Sequence, residues 1–382
     1  MSTSGASASE VALPSTRLHH MVAEAIPDQS YEIRIWLPPS YVESPNRTYP
    51  ALYVLDGDYC FGMAVDIVRY LIRGEYIPEL IVAAVGYGSD RPPEEGGRNM
   101  RSFDLAPIEI GLSAKPRGAI FRLFLRDQLI PFVESNYRVE SELRTLYGFS
   151  LGGLFGLYDM MQSPRMFGRY VIVSPPLNPS TAEILALAER FVTFEVSRPA
   201  SVYLCGGELD PILPWFPRLT AILEKASLHG FHFEWEVFPR GVHMTAPAEA
   251  LAKGLRATLG KKSIYEAMFK AYQEGGIDSA KSVYHDTKAR AAPDDSFSES
   301  ELNAFGYMLL FGDHVGDAIE VLLLNVDAHP QAWNTYDSLG EAYLALGNVA
   351  LAKENYEKSV ELNPKNEFGI AQLNRLNRAP AS

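Results

Sequence analysis

Tyr31-Glu32-Ile33-Arg34-Ile35-Trp36-Leu37 places an apolar side chain at nearly every second position and stops at Pro38-Pro39. A period of two is that of a strand with one face buried, and the prolines end it. Leu18 to Val22 is a candidate partner strand. Tyr49 to Leu55 and Leu80 to Gly86 are different: apolar without interruption, as expected of strands covered on both faces. Leu143 to Tyr147, Arg169 to Ser174 and Ser201 to Cys205 repeat that pattern, and Phe231 to Phe238 alternates. Helical spacing lies between them. Ile120 to Tyr137 carries Phe121, Phe124, Leu125, Leu129 and Phe132 on one side, and Leu213 to His229 and Ala246 to Leu259 also read as helices. Strands alternating with helices predict an α/β domain over residues 15–260. Its sheet is mostly parallel, with helices on both faces. Tyr87 to Pro116 breaks the regularity with Gly, Pro, Arg and Glu, and so long a connection inside a compact domain is functional or disordered.

After Gly260 the period changes. Leu339-Gly340, Tyr343, Gly347, Ala352, Tyr356 and Pro364 occupy the positions favoured by a tetratricopeptide repeat. Thirty-four residues earlier stand Gly306, Leu309, Ala318, Leu322 and Pro330, and a weaker copy is expected over Ser263 to Arg290, with Gly275, Ala280 and Tyr284 in register. Small residues let paired helices approach, large ones fill between them, and proline ends each pair. A small all-α repeat domain over residues 261–378 is expected, with Asp294 to Ser300 as a polar turn. So short a stack is expected to dock, to self-associate into a homodimer or to bind a protein partner.

Composition narrows the partners. The 382 residues suit two domains, and 47% hydrophobic with 21% charged residues is the balance of a folded protein. A net charge of −13 argues against nucleic acid and against an anionic membrane. No run approaches the roughly 20 apolar residues of a membrane helix. Met1 to Glu10 lacks the basic start and apolar core of a secretory signal. Two cysteines, Cys60 and Cys205, make no disulfide framework and sit among apolar neighbours, so buried thiols and a cytoplasmic location are expected.

Chemistry concentrates at Tyr147-Gly148-Phe149-Ser150-Leu151-Gly152-Gly153, a G-x-S-x-G pattern between a predicted strand and a predicted helix. That setting is the nucleophile elbow of an α/β-hydrolase, in which a tight turn lifts the serine above the sheet. The alternative is a glycine-rich turn with an incidental serine. A serine needs a base, and the base needs an orienting group. In this fold the chain order is Ser, Asp/Glu, His. His243 follows the last strand, where sites collect in parallel sheets. His19 and His20 precede the serine, His229 and His232 flank the start of a strand, and His285, His314 and His329 fall in the repeats. Asp210 gives Gly207-x-x-Asp after its strand and is the first choice of acid. Glu208 is chemically competent, and a carbonyl or water orienting the imidazole is a third possibility. The oxyanion needs N–H donors, one from the Leu151 backbone and one from the turn Asp56-Gly57-Asp58 after an early buried strand.

Tyr49 to Asp58, with Gly148 to Gly153, resembles the serine-esterase family that includes the enterobactin- and bacillibactin-type ferric-siderophore esterases. Esterase D and the mycolyltransferases are more distant relatives. The resemblance covers about residues 15–260. It implies an α/β-hydrolase fold, a nucleophile at Ser150, a histidine at His243 and oxyanion donors at the Asp58 and Leu151 backbones. Arg101-Ser102-Phe103-Asp104-Leu105-Ala106-Pro107 resembles the family's R-x-x-D-[LF]-T-P loop over the active site, with Ala106 in place of threonine. Arg98 and Arg101 are candidate binders of an anionic or catecholate group, unless Arg101 pairs with Asp104 or Glu109. The expected activity is hydrolysis of a small carboxylic ester through an acyl-enzyme, without metal or organic cofactor. An acyltransferase at the same site, or a repeat scaffold with a vestigial hydrolase domain, are the alternatives.

Overall fold

The computed structural model describes residues 12–26, 29–88, 100–109, 116–162, 164–177, 182–193, 200–211, 213–225, 231–260, 263–290 and 298–378. The chain divides into two compact units, Met1–Arg73 with Ile77–Gly260, and Gly74–Tyr76 with Lys261–Ser382.

The first unit is built on eight strands: β1 Thr16–Val22, β2 Ser30–Trp36, β3 Tyr49–Val54, β4 Ile81–Gly86, β5 Val139–Phe149, β6 Arg169–Val173, β7 Ala200–Gly207 and β8 Phe231–Phe238. Their order is β1-β2-β4-β3-β5-β6-β7-β8. β2 runs antiparallel to β1 and β4, and all pairs from β4–β3 onward are parallel. The two patterns in the sequence follow from this. β3 and β4 are buried at every position. β2, near the antiparallel edge, buries Tyr31, Ile33 and Ile35 in alternation. In β5 only Thr145 to Phe149 are buried, so its apolar signal marks the half that leads to the serine.

Helices lie between the strands. α1 Gly57–Arg73 follows β3, and the short α2 Met100–Asp104 lies within the irregular connection after β4. α3 Gly118–Phe124 and α4 Ile130–Asn136 are joined by a π-helical turn, Leu125–Leu129. Pro131 explains the wider turn: it has no N–H to give, and its ring clashes with the preceding carbonyls of a regular helix. α5 Leu151–Met160, α6 Ala182–Phe191, α7 Phe216–Glu224 and α8 Ala246–Leu259 complete the unit. Two apolar cores cover the two faces of the sheet. α1 and α6 were not expected from the sequence. In α1 the turn signal of Asp56-Gly57-Asp58 hides a helix start, although Cys60, Phe61, Ala64, Val65, Val68 and Leu71 form one buried stripe. The helix expected over Leu213 to His229 is a 3₁₀ turn, Leu213–Trp215, followed by α7, and residues 226–230 lie outside the described residues.

The second unit is helical: α9 Ile264–Arg290, α10 Glu299–Phe311, α11 Val315–Ala328, α12 Trp333–Ala345, α13 Val349–Leu362 and α14 Glu367–Arg378. Gly275 and Gly276 break α9 into two helices. The 34-residue spacing is a packing period. A methyl placed at Gly306 would lie 2.6 Å from Leu322, and one at Gly340 would lie 3.1 Å from Tyr356. The glycine on one helix of each pair thus admits the large residue sixteen positions later. Ala280 and Tyr284 are fully buried as expected of repeat positions, yet they precede Ala318 and Leu322 by 38 residues, not 34. Part of the expected polar turn at 294–297 lies outside the described residues, and α10 already begins at Glu299. Asn366 donates to Asp337 Oδ1 at 2.7 Å and to Ser359 Oγ at 2.9 Å, closing the turn that contains Pro364.

Candidate active site

Four parallel strands carry the candidate residues at their C-terminal ends. Ser150 sits between β5 and α5 with φ 55° and ψ −119°. That left-handed geometry costs a non-glycine residue roughly 1–3 kcal/mol, so the surroundings must enforce it. They do so by folding α5 back over β5. A methyl at Gly148 would lie 2.2 Å from the Gly152 carbonyl oxygen, so only glycine fits there. The Ser150 N–H donates to the Val173 carbonyl of β6 at 2.9 Å, tying the turn to the sheet.

The turn after β7 brings up Asp210, whose side chain is 1% exposed. The turn after β8 brings up His243. These turns are joined directly: the Leu209 N–H donates to the Gly241 carbonyl at 2.8 Å. His243 Nδ1 lies 2.8 Å from Asp210 Oδ2, and Nε2 lies 3.0 Å from Ser150 Oγ. The imidazole packs on Phe149, with ring centroids 4.7 Å apart. Glu208, the other acid considered, faces elsewhere. Its Oε2 accepts the Arg240 N–H at 2.7 Å, and Arg240 itself has φ 56°. A carboxylate there holds the strained bend that leads into His243.

A second turn stands beside the first. Asp56, at the end of β3, has φ 57° and is buried. Its Oδ2 is 3.4 Å from where a Gly152 side chain would begin, so the β3–α1 turn abuts the first turn of α5. Asp58 and Leu151 both lie in a helix's first turn, where an N–H has no partner within its own helix. The Asp58 carboxylate is also engaged. It accepts the Tyr87 N–H at 2.6 Å and the Gly88 N–H at 3.2 Å, and Arg34 Nη2 lies 2.9 Å from it.

Arg101 is placed differently from expectation. Its partner is neither Asp104 nor Glu109 but Asp56, through a fork from Nε at 2.5 Å and from Nη2 at 2.7 Å. No sequence spacing signals this pair, because the two residues are 45 positions apart. Asp104 is fully buried and accepts from the Tyr31 hydroxyl at 2.7 Å. Burial raises its pKa to about 6, against the opposing effects of the Tyr31 hydrogen bond and the Arg117 charge. Arg98 lies outside the described residues. Both cysteines are free and buried, and burial pushes the Cys60 thiol up to about 12. Among the described residues, no group of three His, Cys, Asp or Glu side chains is placed to hold a metal ion, and no helix is long and apolar enough to cross a membrane.

The family model described as "Putative esterase" matches residues 24–289. The chain belongs to this esterase family. It is an enzyme of the carboxylic ester hydrolase class, and a tetratricopeptide-repeat model matches residues 334–366 of its C-terminal helices. The esterase is 28% identical over 226 residues to the ferri-bacillibactin esterase BesA of Bacillus subtilis, a match spanning 54% of this chain and 75% of that one. Its fold is similar to that of the BES protein from Bacillus cereus, with a TM-score of 0.58 at 24% identity, over 67% of this chain and 99% of that one. It is also similar to an IroE-like serine hydrolase from Shewanella oneidensis, with a TM-score of 0.56 at 17% identity, over 91% and 99% of the two chains.

Proposed function

We propose that the protein is a serine esterase working through an acyl-enzyme on Ser150. The observation that carries this reading is the imidazole of His243, held between Ser150 Oγ at 3.0 Å and Asp210 Oδ2 at 2.8 Å. A carboxylate only accepts, so Nδ1 carries the proton toward Asp210 and Nε2 is left as the base. Nε2 takes the hydroxyl proton as Oγ attacks the ester carbonyl. The new oxyanion is met by the N–H groups of Asp58 and Leu151, each in the first turn of its helix and so without an intrahelical partner. Collapse breaks the ester C–O bond, and the proton on Nε2 goes to the departing alcohol. Water then enters, gives its proton to Nε2 and attacks the acyl carbon; collapse breaks the C–Oγ bond, the proton on Nε2 returns to Oγ, and the acid leaves. The likeness to BesA, named for a siderophore ester, supports a small ester or lactone as the substrate.

The test is labelling with a fluorophosphonate probe, with the adduct located by mass spectrometry, beside turnover of a short-chain nitrophenyl ester. An adduct on Ser150, together with turnover that falls to background in Ser150→Ala and in His243→Ala, is the expected result. A folded Ser150→Ala protein that still cleaves the ester would refute the assignment.

A further inference from the structure

The residues next in chain to the candidate site are apolar and exposed. Tyr59 follows Asp58 and is 56% exposed, Leu209 precedes Asp210 at 63%, and Val242 and Met244 flank His243 at 41% and 74%. Single apolar side chains on a surface carry no message, but a group of them around one site does. These four are grouped by the fold. Leu209 and Val242 belong to the two turns joined by the Leu209–Gly241 hydrogen bond. β5 lies between β3 on one side and β6, β7 and β8 on the other, so the turn that carries Tyr59 stands on one side of the Ser150 turn and those that carry the other three on the opposite side.

Among the described residues, two cations near the site are already matched. Arg101 is forked onto Asp56. Arg34 sits between Glu32 at 2.6 Å and Asp58 at 2.9 Å. Glu208 is met by the backbone N–H of Arg240, whose side chain is exposed. An anionic acyl group arriving here would face the carboxylates of Asp56 and Asp58 with their cations, Arg101 and Arg34, already engaged. An apolar one would cover side chains that otherwise face water.

We propose that Tyr59, Leu209, Val242 and Met244 form an apolar seat for the acyl chain, and that the site selects neutral esters with an extended apolar acyl group over anionic esters of the same length. This rests on the serine-esterase reading above and adds the substrate class to it.

The test is steady-state kinetics of the full chain on 4-nitrophenyl acetate, pentanoate and hexanoate, and on 4-nitrophenyl succinate, which matches pentanoate in length but carries a carboxylate. A half-covered methylene contributes roughly a twofold gain, so over four methylenes kcat/KM is expected to rise about fifteenfold from acetate to hexanoate. Pentanoate is expected to exceed succinate by about tenfold. In the Leu209→Ser/Met244→Ser variant, checked for folding by circular dichroism, the hexanoate-to-acetate ratio is expected to fall below about threefold. A flat profile in the wild type, a preference for succinate, or an undiminished ratio in the folded variant would each overturn the seat while leaving the esterase standing. Absence of both turnover and a Ser150 adduct would overturn the esterase reading, and the seat with it.

Discussion

Two turns of this molecule use one backbone device for different ends. After β5 the chain enters α5 through Ser150 at φ 55°; after β3 it enters α1 through Asp56 at φ 57°. Each turn is pinned by a glycine with no room for a side chain. At Gly57 a methyl would lie 2.9 Å from the Val85 backbone, as it would lie 2.2 Å from Gly152 at Gly148. The difference is in what holds the strained residue. Ser150 is held by backbone packing, with its own N–H on Val173, which leaves the hydroxyl facing His243. Asp56 is held by its side chain, clamped by the Arg101 fork. A turn that must present a side chain cannot use that side chain as its anchor, whereas a turn that need only present an N–H can. The first turn therefore suits a nucleophile and the second suits an oxyanion donor.

The comparison is broken most severely at the first turn. Ser150→Ala is expected to lower kcat by about 10⁴-fold or more, read in a nitrophenyl ester assay, with the far-ultraviolet circular dichroism unchanged. Close behind, Asp210→Asn should cost about 10⁴-fold, because the amide no longer stabilises the imidazolium by charge and its NH2 group favours the wrong tautomer. Glu208→Gln provides the contrast. The amide oxygen still accepts the Arg240 N–H, so kcat is expected to fall less than tenfold. Equal losses in the two variants would mean that the acid has been misassigned.

At the second turn the expected effects are smaller, since a donor is displaced but no reacting atom is lost. Asp56→Ala removes both the clamp on Arg101 and a residue type that tolerates the left-handed region. A loss of about 10²–10³ in kcat with little change in KM is expected, the scale of a missing oxyanion donor. Asp56→Asn keeps one acceptor and a residue enriched in that region, and should recover part of the loss. If both variants changed only KM, the turn would serve ground-state binding and the pairing of roles drawn above would fail.

How legible each turn was follows from the same difference. Around Ser150 the enforcement is local, in Gly148, Gly152 and Gly153, so a seven-residue window shows it. Around Asp56 the enforcement is Arg101, brought in by a connection with no regular pattern, and the window shows only Asp-Gly-Asp, an ordinary turn signal that masked the start of α1. The strands were readable because burial on two faces removes polar residues from β3, β4 and β6. The eight-strand order and the abutting turns after β7 and β8 are long-range facts with no signature in any one segment. Asp210 and Glu208 illustrate this. They stand two positions apart and are equally acidic, and only the fold separates them, one facing His243 and the other the Arg240 backbone. The repeats show the same limit from the other side. Positions 34 apart were visible because each glycine faces a large residue within its own pair, while the first pair stands four residues out of step.

The smallest expected effect concerns the helix that carries Arg101, where α2 runs from Met100 to Asp104. Asp104 is fully buried against the Tyr31 hydroxyl, and burial sets its folded pKa at about 6. An unfolded aspartate titrates near 3.9. Between these values the folded state binds more protons than the unfolded one, so this residue's contribution to stability is complete below about pH 4 and is lost as pH rises through 6. The size is about 3 kcal/mol at most, from about two pKa units. Asp104→Asn keeps a side-chain oxygen for the Tyr31 hydroxyl and does not titrate. Measured by urea unfolding, the variant's stability relative to wild type should therefore climb from pH 4.5 to pH 7.5, with no such climb between pH 7.5 and pH 9. A relative stability that stays level from pH 4.5 to pH 7.5 would mean that burial does not raise the Asp104 carboxyl, which would then ionise in the folded protein as readily as in the unfolded one.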